Sequence, residues 1–294
     1  MKQIYGYILI CIASIIWGTL GIFGKLAFEL GARPETLIAL RLLISSLTIF
    51  IPMNLFRREL FKIQKKDLFK FLVLGIFATA LQRTTYFYSI DLTTAATAAI
   101  LTYTYPLFVI IYSSLFLKEK IIPSIVLAAI LTFSGVLLVV KVYGVSWLNT
   151  SFPGVILGVI SSILFAAYLL IIKNLRNHYT NWTLILYADG IGALTLTPII
   201  FASLSEIFNY TQQLWLIILA IAWFPSLMAY LIYSYALKHV QVSKGSILSV
   251  IEPLSTAIFA ATILHETFEP LQILGVALAL TGVVLLLHKP KFKK

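Results

Sequence analysis

Residues 105–123 read YPLFVIIYSSLFLKEKIIP, and 147 residues further on residues 252–270 read EPLSTAIFAATILHETFEP. Pro106, Glu119 and Pro123 fall on Pro253, Glu266 and Pro270, and Gly135 falls on Gly282 at the same shift. The chain has 294 residues, so that shift is half its length. Residues 88–140 lie on residues 235–287 without a gap, and the opening segments align at a shift of 148, with Gly6 on Gly154, Ser14 on Ser162 and Lys25 on Lys173. The residues between these markers are apolar, so the duplicated unit is a set of membrane spans. A unit of five spans crosses the bilayer an odd number of times. Two copies in one chain are therefore expected to sit upside down to each other, the arrangement of carriers that open to alternate faces.

Composition fixes the solvent. Hydrophobic residues make up 60% of the chain and charged residues 11%, with a mean hydropathy of +0.98. That leaves too little polar surface for a water-soluble body of this size. Ten apolar runs are long enough for about 30 Å of hydrocarbon: 5–27, 36–55, 69–90, 94–117, 123–141, 153–173, 183–203, 212–237, 243–264 and 270–288. Lipid offers backbone groups no partner, so each run is expected to be helical. The runs lack the alternation of a membrane barrel. The first is too long for a cleaved signal, lacks a small-residue cleavage site and is followed by nine more. The expected fold is an all-α integral membrane protein of ten transmembrane helices, with a first repeat at 1–142, a linker at 143–152 and a second repeat at 153–294.

The net charge of +11 is a topology signal rather than a nucleic-acid footprint. With the N-terminus in the cytoplasm, seventeen of the 22 Lys and Arg fall in cytoplasmic segments, and only Arg33 and Lys141 fall outside; Lys25, Arg41 and Arg83 lie within spans. This bias puts both termini in the cytoplasm, and it makes the cluster from Arg57 to Lys70 a contact for anionic headgroups. The first repeat ends its fourth span with Lys118, Glu119 and Lys120, whereas the second ends the matching span with His265, Glu266 and Thr267. The lysines are missing where an inverted copy would carry them outside. Cys11 stands alone, and the four histidines fall at span ends or in loops. No disulfide framework and no metal site are expected.

Pro106 and Pro253 lie near the middle of spans four and nine. Each removes an N–H and frees the carbonyl four residues earlier, at Thr102 and Ser249, whose hydroxyls can help re-satisfy the broken turn. Matching breaks at mid-membrane, one per repeat, point to a midplane binding site; a plain packing kink is the alternative. Glu252 precedes Pro253. A carboxylate at that depth costs at least ~2.5–3.5 kcal/mol, so it is expected to face a cavity or a cation. It is a candidate for proton coupling, for binding a substrate amine, or for a structural hydrogen bond or ion pair. Arg83, mid-way along span three, suits an anionic substrate group or an ion pair with Glu252. Asp189 is a minor candidate for proton relay. Arg41 and Lys25 lie close enough to span ends to snorkel and are assigned structural roles. Tyr103, Tyr105 and Tyr230 are expected in the cavity wall, with Gln82 adding a hydrogen bond. Gly154 and Gly158 form a GxxxG pair suited to close packing within the bundle or in a dimer.

Trp17-Gly18 followed by Lys25, Arg41 early in span two, and Pro106 leading to Lys118-Glu119-Lys120 and Gly135 together resemble the EamA family of the drug/metabolite transporter superfamily. Glu252-Pro253 leading to Glu266 and Gly282 resembles its second unit. Phe165-Ala166 stands where a second Trp-Gly would fall. The resemblance covers nearly the whole chain. It implies a ten-span basket around a central cavity, working by alternating access on small metabolites. The expected function is secondary active export of amino acids or similar small metabolites across the cytoplasmic membrane, with proton coupling as one option. A multidrug efflux carrier, an ion-independent exchanger and a sensor or scaffold without flux remain as alternatives. An enzyme is not expected, because His-x-x-His, HExxH and GxSxG patterns are absent, and an ATP-driven pump is not expected without a GxxxxGK[ST] loop. The expected partners are a small-molecule substrate, protons and membrane lipids, with no cofactor and no nucleic acid. Internal duplication already supplies what a dimer of single units would give, so a working monomer is expected.

Overall fold

The computed structural model describes residues 2–117, 123–139, 152–239, 248–249, 251–265 and 267–285. Among these residues the structure is helical, with no strand. The first half of the chain contributes α1 (Lys2–Gly18), α2 (Leu20–Glu29), α3 (Pro34–Phe56), α4 (Leu68–Gly75), α5 (Gln82–Leu92), α6 (Ala95–Thr102), α7 (Tyr105–Leu117) and α8 (Pro123–Val139). The second contributes α9 (Phe152–Leu175), α10 (Asn181–Ala202), α11 (Leu204–Phe208), α12 (Gln212–Ile221), α13 (Ala229–Ala236), α14 (Ile251–Ile263) and α15 (Pro270–Leu285).

Local chemistry sets several of the starts. Pro34 occupies the first turn of α3, where its missing N–H has no helical partner to lose. The hydroxyls of Thr94, Thr180 and Thr211 accept from the backbone N–H three residues on, at 3.1, 3.3 and 3.2 Å. Five helical stretches are long and apolar enough to cross a bilayer: Ile4–Glu29, Pro34–Phe56, Phe152–Leu175, Asn181–Ala202 and Gln212–Ala236. The other expected spans are shorter in their described parts, or carry polar residues such as Gln82, Arg83 and Asp91. Lys118, Glu119, Lys120, Glu266 and the linker from 143 to 151 lie outside the described residues.

Two wide π-turns were not legible in the sequence. Ile76–Leu81 joins α4 to α5, and Ala222–Met228 joins α12 to α13. They fall within the expected spans 69–90 and 212–237. The second contains Pro225, which deprives the Ile221 carbonyl of its helical donor; the Ser226 hydroxyl donates to that carbonyl instead, at 2.6 Å. The residues that follow the π-turns, Gln82 and Arg83 in one half and Ala229 and Tyr230 in the other, point inward. Single π-turns inside helices mark functional sites often enough to draw attention here.

The helix pairing is unchanged when each span of the first half is exchanged for its counterpart in the second. α3 packs on α10, and α8 on α15. α5 packs on α9, as α13 does on α1; α6 packs on α9, as α14 does on α1. Gly154 and Gly158 face α5 and α6. A methyl on Gly154 would lie 2.7 Å from Thr93 Cγ2, and one on Gly158 would lie 2.7 Å from Leu101 Cδ1. The GxxxG pair is thus used inside the bundle. Leu194 and Phe201 on α10 are 73% and 68% exposed, with Phe50 and Ile51 on α3 also uncovered. Such apolar surface on a transporter-sized bundle is what lipid would cover.

Candidate functional site

Helix α6 stops at Thr102 and α7 resumes at Tyr105, just before Pro106. On the other side Ser249 sits in a turn, and α14 starts at Ile251 with Pro253 in its first turn. Both breaks fall where the proline removes a helical N–H. The ends of these broken helices meet the middle of the bundle and bound a cavity.

Residues from both halves line it. The first half supplies Trp17 and Leu20 at the junction of α1 and α2, Arg41 on α3, and Gln82, Arg83 and Tyr86 on α5. Thr102 and Tyr103 come from the first break. The second half supplies Phe165 on α9, Tyr230 on α13 and Glu252 on α14. The open volume is about 30 Å³, room for a water or two. Anything larger fits here only when helices or side chains move apart.

The second break is held by the first. Tyr103 Oη donates to the Ser249 carbonyl, the group that Pro253 frees, and lies 2.8 Å from Glu252 Oε2. The sequence reading gave the repair of the broken turns to the hydroxyls of Thr102 and Ser249. At the second break the repair comes from a tyrosine of the other repeat. The Thr102 hydroxyl is buried and has no hydrogen-bond partner among the described residues. Tyr105 is buried outside the lining, its ring 5.5 Å from Tyr103 and 4.9 Å from Phe165.

Arg83 and Glu252 both line the cavity, yet Arg83 pairs elsewhere. Its Nη1 lies 2.7 Å from Asp189 Oδ1, with both side chains buried. The Ser45 hydroxyl donates to Asp189 Oδ2 at 2.6 Å. The sequence reading offered Arg83 an anionic substrate group or an ion pair with Glu252; the ion pair it makes is with Asp189 instead. Both oxygens of Asp189 are engaged, one by Arg83 and one by Ser45. The guanidinium of Arg83 also stacks over the Tyr230 ring, 5.0 Å from its centroid. Gln82 donates to Ser161 at 2.9 Å and so ties α5 to α9.

Arg41 does not snorkel. It is fully buried, and its guanidinium lies 5.6 Å from the centre of the Phe87 ring. Lys25 does take a structural role: its ammonium reaches the carbonyls of Asp91 and Thr93, at 3.5 and 3.2 Å, at the C-terminal end of α5. Sequence reasoning missed Trp17, Tyr86 and Phe165 as wall residues, along with Arg41. Trp17 sits in an aromatic cluster, 4.9 Å from the Tyr230 ring and 4.9 Å from that of Tyr233. The coincidence of Trp17 with Phe165 at the 148-residue shift was a usable signal, since both lie at the same depth in matching spans.

The cytoplasm-facing rim, on the expected topology, carries its own network. Asp67 accepts from Lys70 Nζ at 3.0 Å and from the Tyr179 hydroxyl at 2.9 Å. Lys70 also donates to Asn174 at 2.9 Å, linking α4 to α9. The Lys70 ammonium and its hydrogen bond, helped by Tyr179, hold the Asp67 carboxyl below the usual aspartate range.

A family model described as the EamA-like transporter family matches the chain twice, over residues 4–141 and 152–288. An uncharacterized transporter of Archaeoglobus fulgidus is 27% identical over 285 residues, covering 96% of each chain. The uncharacterized transporter YetK of Bacillus subtilis is 26% identical over 298 residues, covering 99% of this chain and 89% of its own. The uncharacterized inner membrane transporter YicL of Salmonella typhimurium is 27% identical over 289 residues, covering 96% and 94%. One crystal structure superposes with a TM-score of 0.67 at 17% identity, covering 96% of both chains, which is a likeness of fold. With five helices long enough to span a bilayer, a cavity between two matched helix breaks, and a family model that fits each half, the chain is a multi-pass membrane protein that belongs to the EamA-like transporter family.

Proposed function

We propose that the protein is a secondary active transporter that exports amino acids or similar small metabolites by alternating access, with Glu252 as the proton-coupling group. In this reading residues 1–142 and 153–294 are inverted repeats joined at 143–152, both termini are cytoplasmic, and a single chain is the working unit. The observation that carries it is the cavity bounded by two helix breaks at equivalent positions, one from each half.

Proton counting supports the coupling role. A phenol has one hydrogen, yet Tyr103 Oη lies within bonding reach of two acceptors, the Ser249 carbonyl and Glu252 Oε2. Both contacts are satisfied when Glu252 carries a proton and donates it to Tyr103. Loss of that proton leaves a carboxylate competing with the Ser249 carbonyl for a single O–H. Deprotonation therefore draws the Tyr103 hydrogen from the Ser249 carbonyl to the carboxylate and rearranges the tie between the two breaks.

The test is counterflow and gradient-driven uptake in proteoliposomes, using radiolabelled amino acids. A proton gradient should drive accumulation in the wild type, and Glu252→Gln should keep counterflow while losing accumulation. If Glu252→Gln still accumulates substrate against its gradient, Glu252 is not the coupling group. Equal accumulation with and without a gradient would favour an ion-independent exchanger.

A further inference from the structure

Arg41 is left without a task by the ion pair and hydrogen bonds above. It comes from α3, is fully buried and lines the cavity. Its Nε, Nη1 and Nη2 are buried and have no hydrogen-bond partner among the described residues. A guanidinium remains charged and offers five N–H donors and no acceptor. Leaving such a group buried and unpaired is among the costliest arrangements a protein holds, and the Phe87 face offsets only a part of it. Trp17 Nε1, in the lining of the same cavity, is a second buried donor without a hydrogen-bond partner among the described residues. An indole N–H, too, can only donate.

The charges around the cavity show what is missing. Arg83 is committed to Asp189 at 2.7 Å, and Glu252 is bonded to Tyr103. With Glu252 protonated, as in the transport reading above, this leaves one unmatched positive charge, in a planar fork, among the described residues lining the cavity, together with an extra N–H donor. A planar group with two oxygens and one negative charge satisfies both. A phosphate dianion carries more charge than this set can neutralise, and an amine would add a second unpaired cation.

We propose that Arg41 anchors a single carboxylate on the transported substrate through its guanidinium fork, with Trp17 Nε1 as an additional donor. The word substrate rests on the transport reading above, which this inference deepens. It narrows the cargo to small monocarboxylates, amino acids among them, and removes cationic drugs from the range.

The full-length protein in detergent micelles is tested by thermal unfolding against phenylacetate, L-phenylalanine, phenethylamine and phenyl phosphate. The two carboxylates should raise the unfolding temperature more than the amine or the phosphate. Arg41→Lys, which keeps the charge but loses the fork, should weaken the carboxylate response about tenfold in apparent affinity, and Arg41→Gln should remove it. The inference is overturned if no carboxylate stabilises the wild type, if the amine or the phosphate stabilises it as well or better, or if Arg41→Lys responds as the wild type does. If Arg41→Gln does not fold, the wild-type series and Arg41→Lys still decide. Counterflow in proteoliposomes separates the two readings. Carboxylate stabilisation without counterflow of L-phenylalanine leaves the anchor standing and sinks transport. Counterflow of phenethylamine alone, unchanged in Arg41→Lys, does the reverse.

Discussion

At the first helix break the residue before the proline is Tyr105, buried among aromatic rings; at the second it is Glu252, facing the cavity. The backbones are alike. Each helix stops just short of its proline and restarts around it. The same contrast holds one layer away. Carried on to the second span, the 148-residue shift of the opening segments sets Arg41 against Asp189. Arg41 faces the cavity unpaired, while Asp189 is spent on Arg83 and Ser45. Duplication has kept the geometry of the two halves and divided the chemistry between them. A carrier needs two similar halves in order to rock, but its coupling and anchoring groups need to exist only once.

Four experiments break or sharpen this contrast. The largest effect is expected at Asp189. Asp189→Asn leaves Arg83 buried without its counter-charge, and stability should fall by about 3–5 kcal/mol, read by unfolding in micelles. Adding Arg83→Gln should recover part of that loss, which a role for Asp189 apart from Arg83 would not allow. Next is Glu252→Gln, which should cut gradient-driven accumulation at least ~100-fold while leaving counterflow within a few-fold of the wild type. A comparable loss from changing Tyr105 to Phe would erase the difference between the breaks. Tyr103→Phe is expected to cost about 1–2 kcal/mol, because the Ser249 carbonyl loses its donor. The smallest effect lies at the rim. The Asp67 carboxyl is held below its ordinary value, so its contribution is complete above the unfolded-state value, near 3.8, and is lost as pH falls through the folded one. The wild type should therefore exceed Asp67→Asn in stability at neutral pH, and the gap should close as the medium is acidified below about pH 4.

Much of the fold was legible because two independent signals agreed. Apolar runs marked the five helices long enough to span a bilayer, and the repeated prolines marked the places where the helices around Pro106 and Pro253 break. The π-turns escaped notice: only the second carries a proline, Pro225, and nothing in residues 76–81 distinguishes a wide turn from an ordinary one. Within the site, depth could be read from the chain but direction could not. Helices apolar on every side carry no stripe to say which face looks inward. Tyr103, Tyr230, Gln82, Arg83 and Glu252 were placed at the cavity by depth alone, and Tyr105 fell just outside it. Arg41 was misjudged for the same reason: its distance from the start of α3 allows snorkelling, but packing turns the side chain inward. The partner of Arg83 was missed because choosing between Asp189 and Glu252 requires the register of α5 against α10, which comes from packing 106 residues apart.

The pairing of α8 with α15 sets a limit on how the molecule can open. A methyl on Gly135 would sit 2.5 Å from the Ala279 nitrogen and 2.9 Å from its Cα, so the two main chains already touch. Prising them apart would leave a bare groove on each that acyl chains, jointed every methylene, fill poorly. The closing helices of the two halves thus form a rivet. If the protein alternates access as proposed above, the opening motion falls to the remaining helices, pivoting around a seam that stays shut.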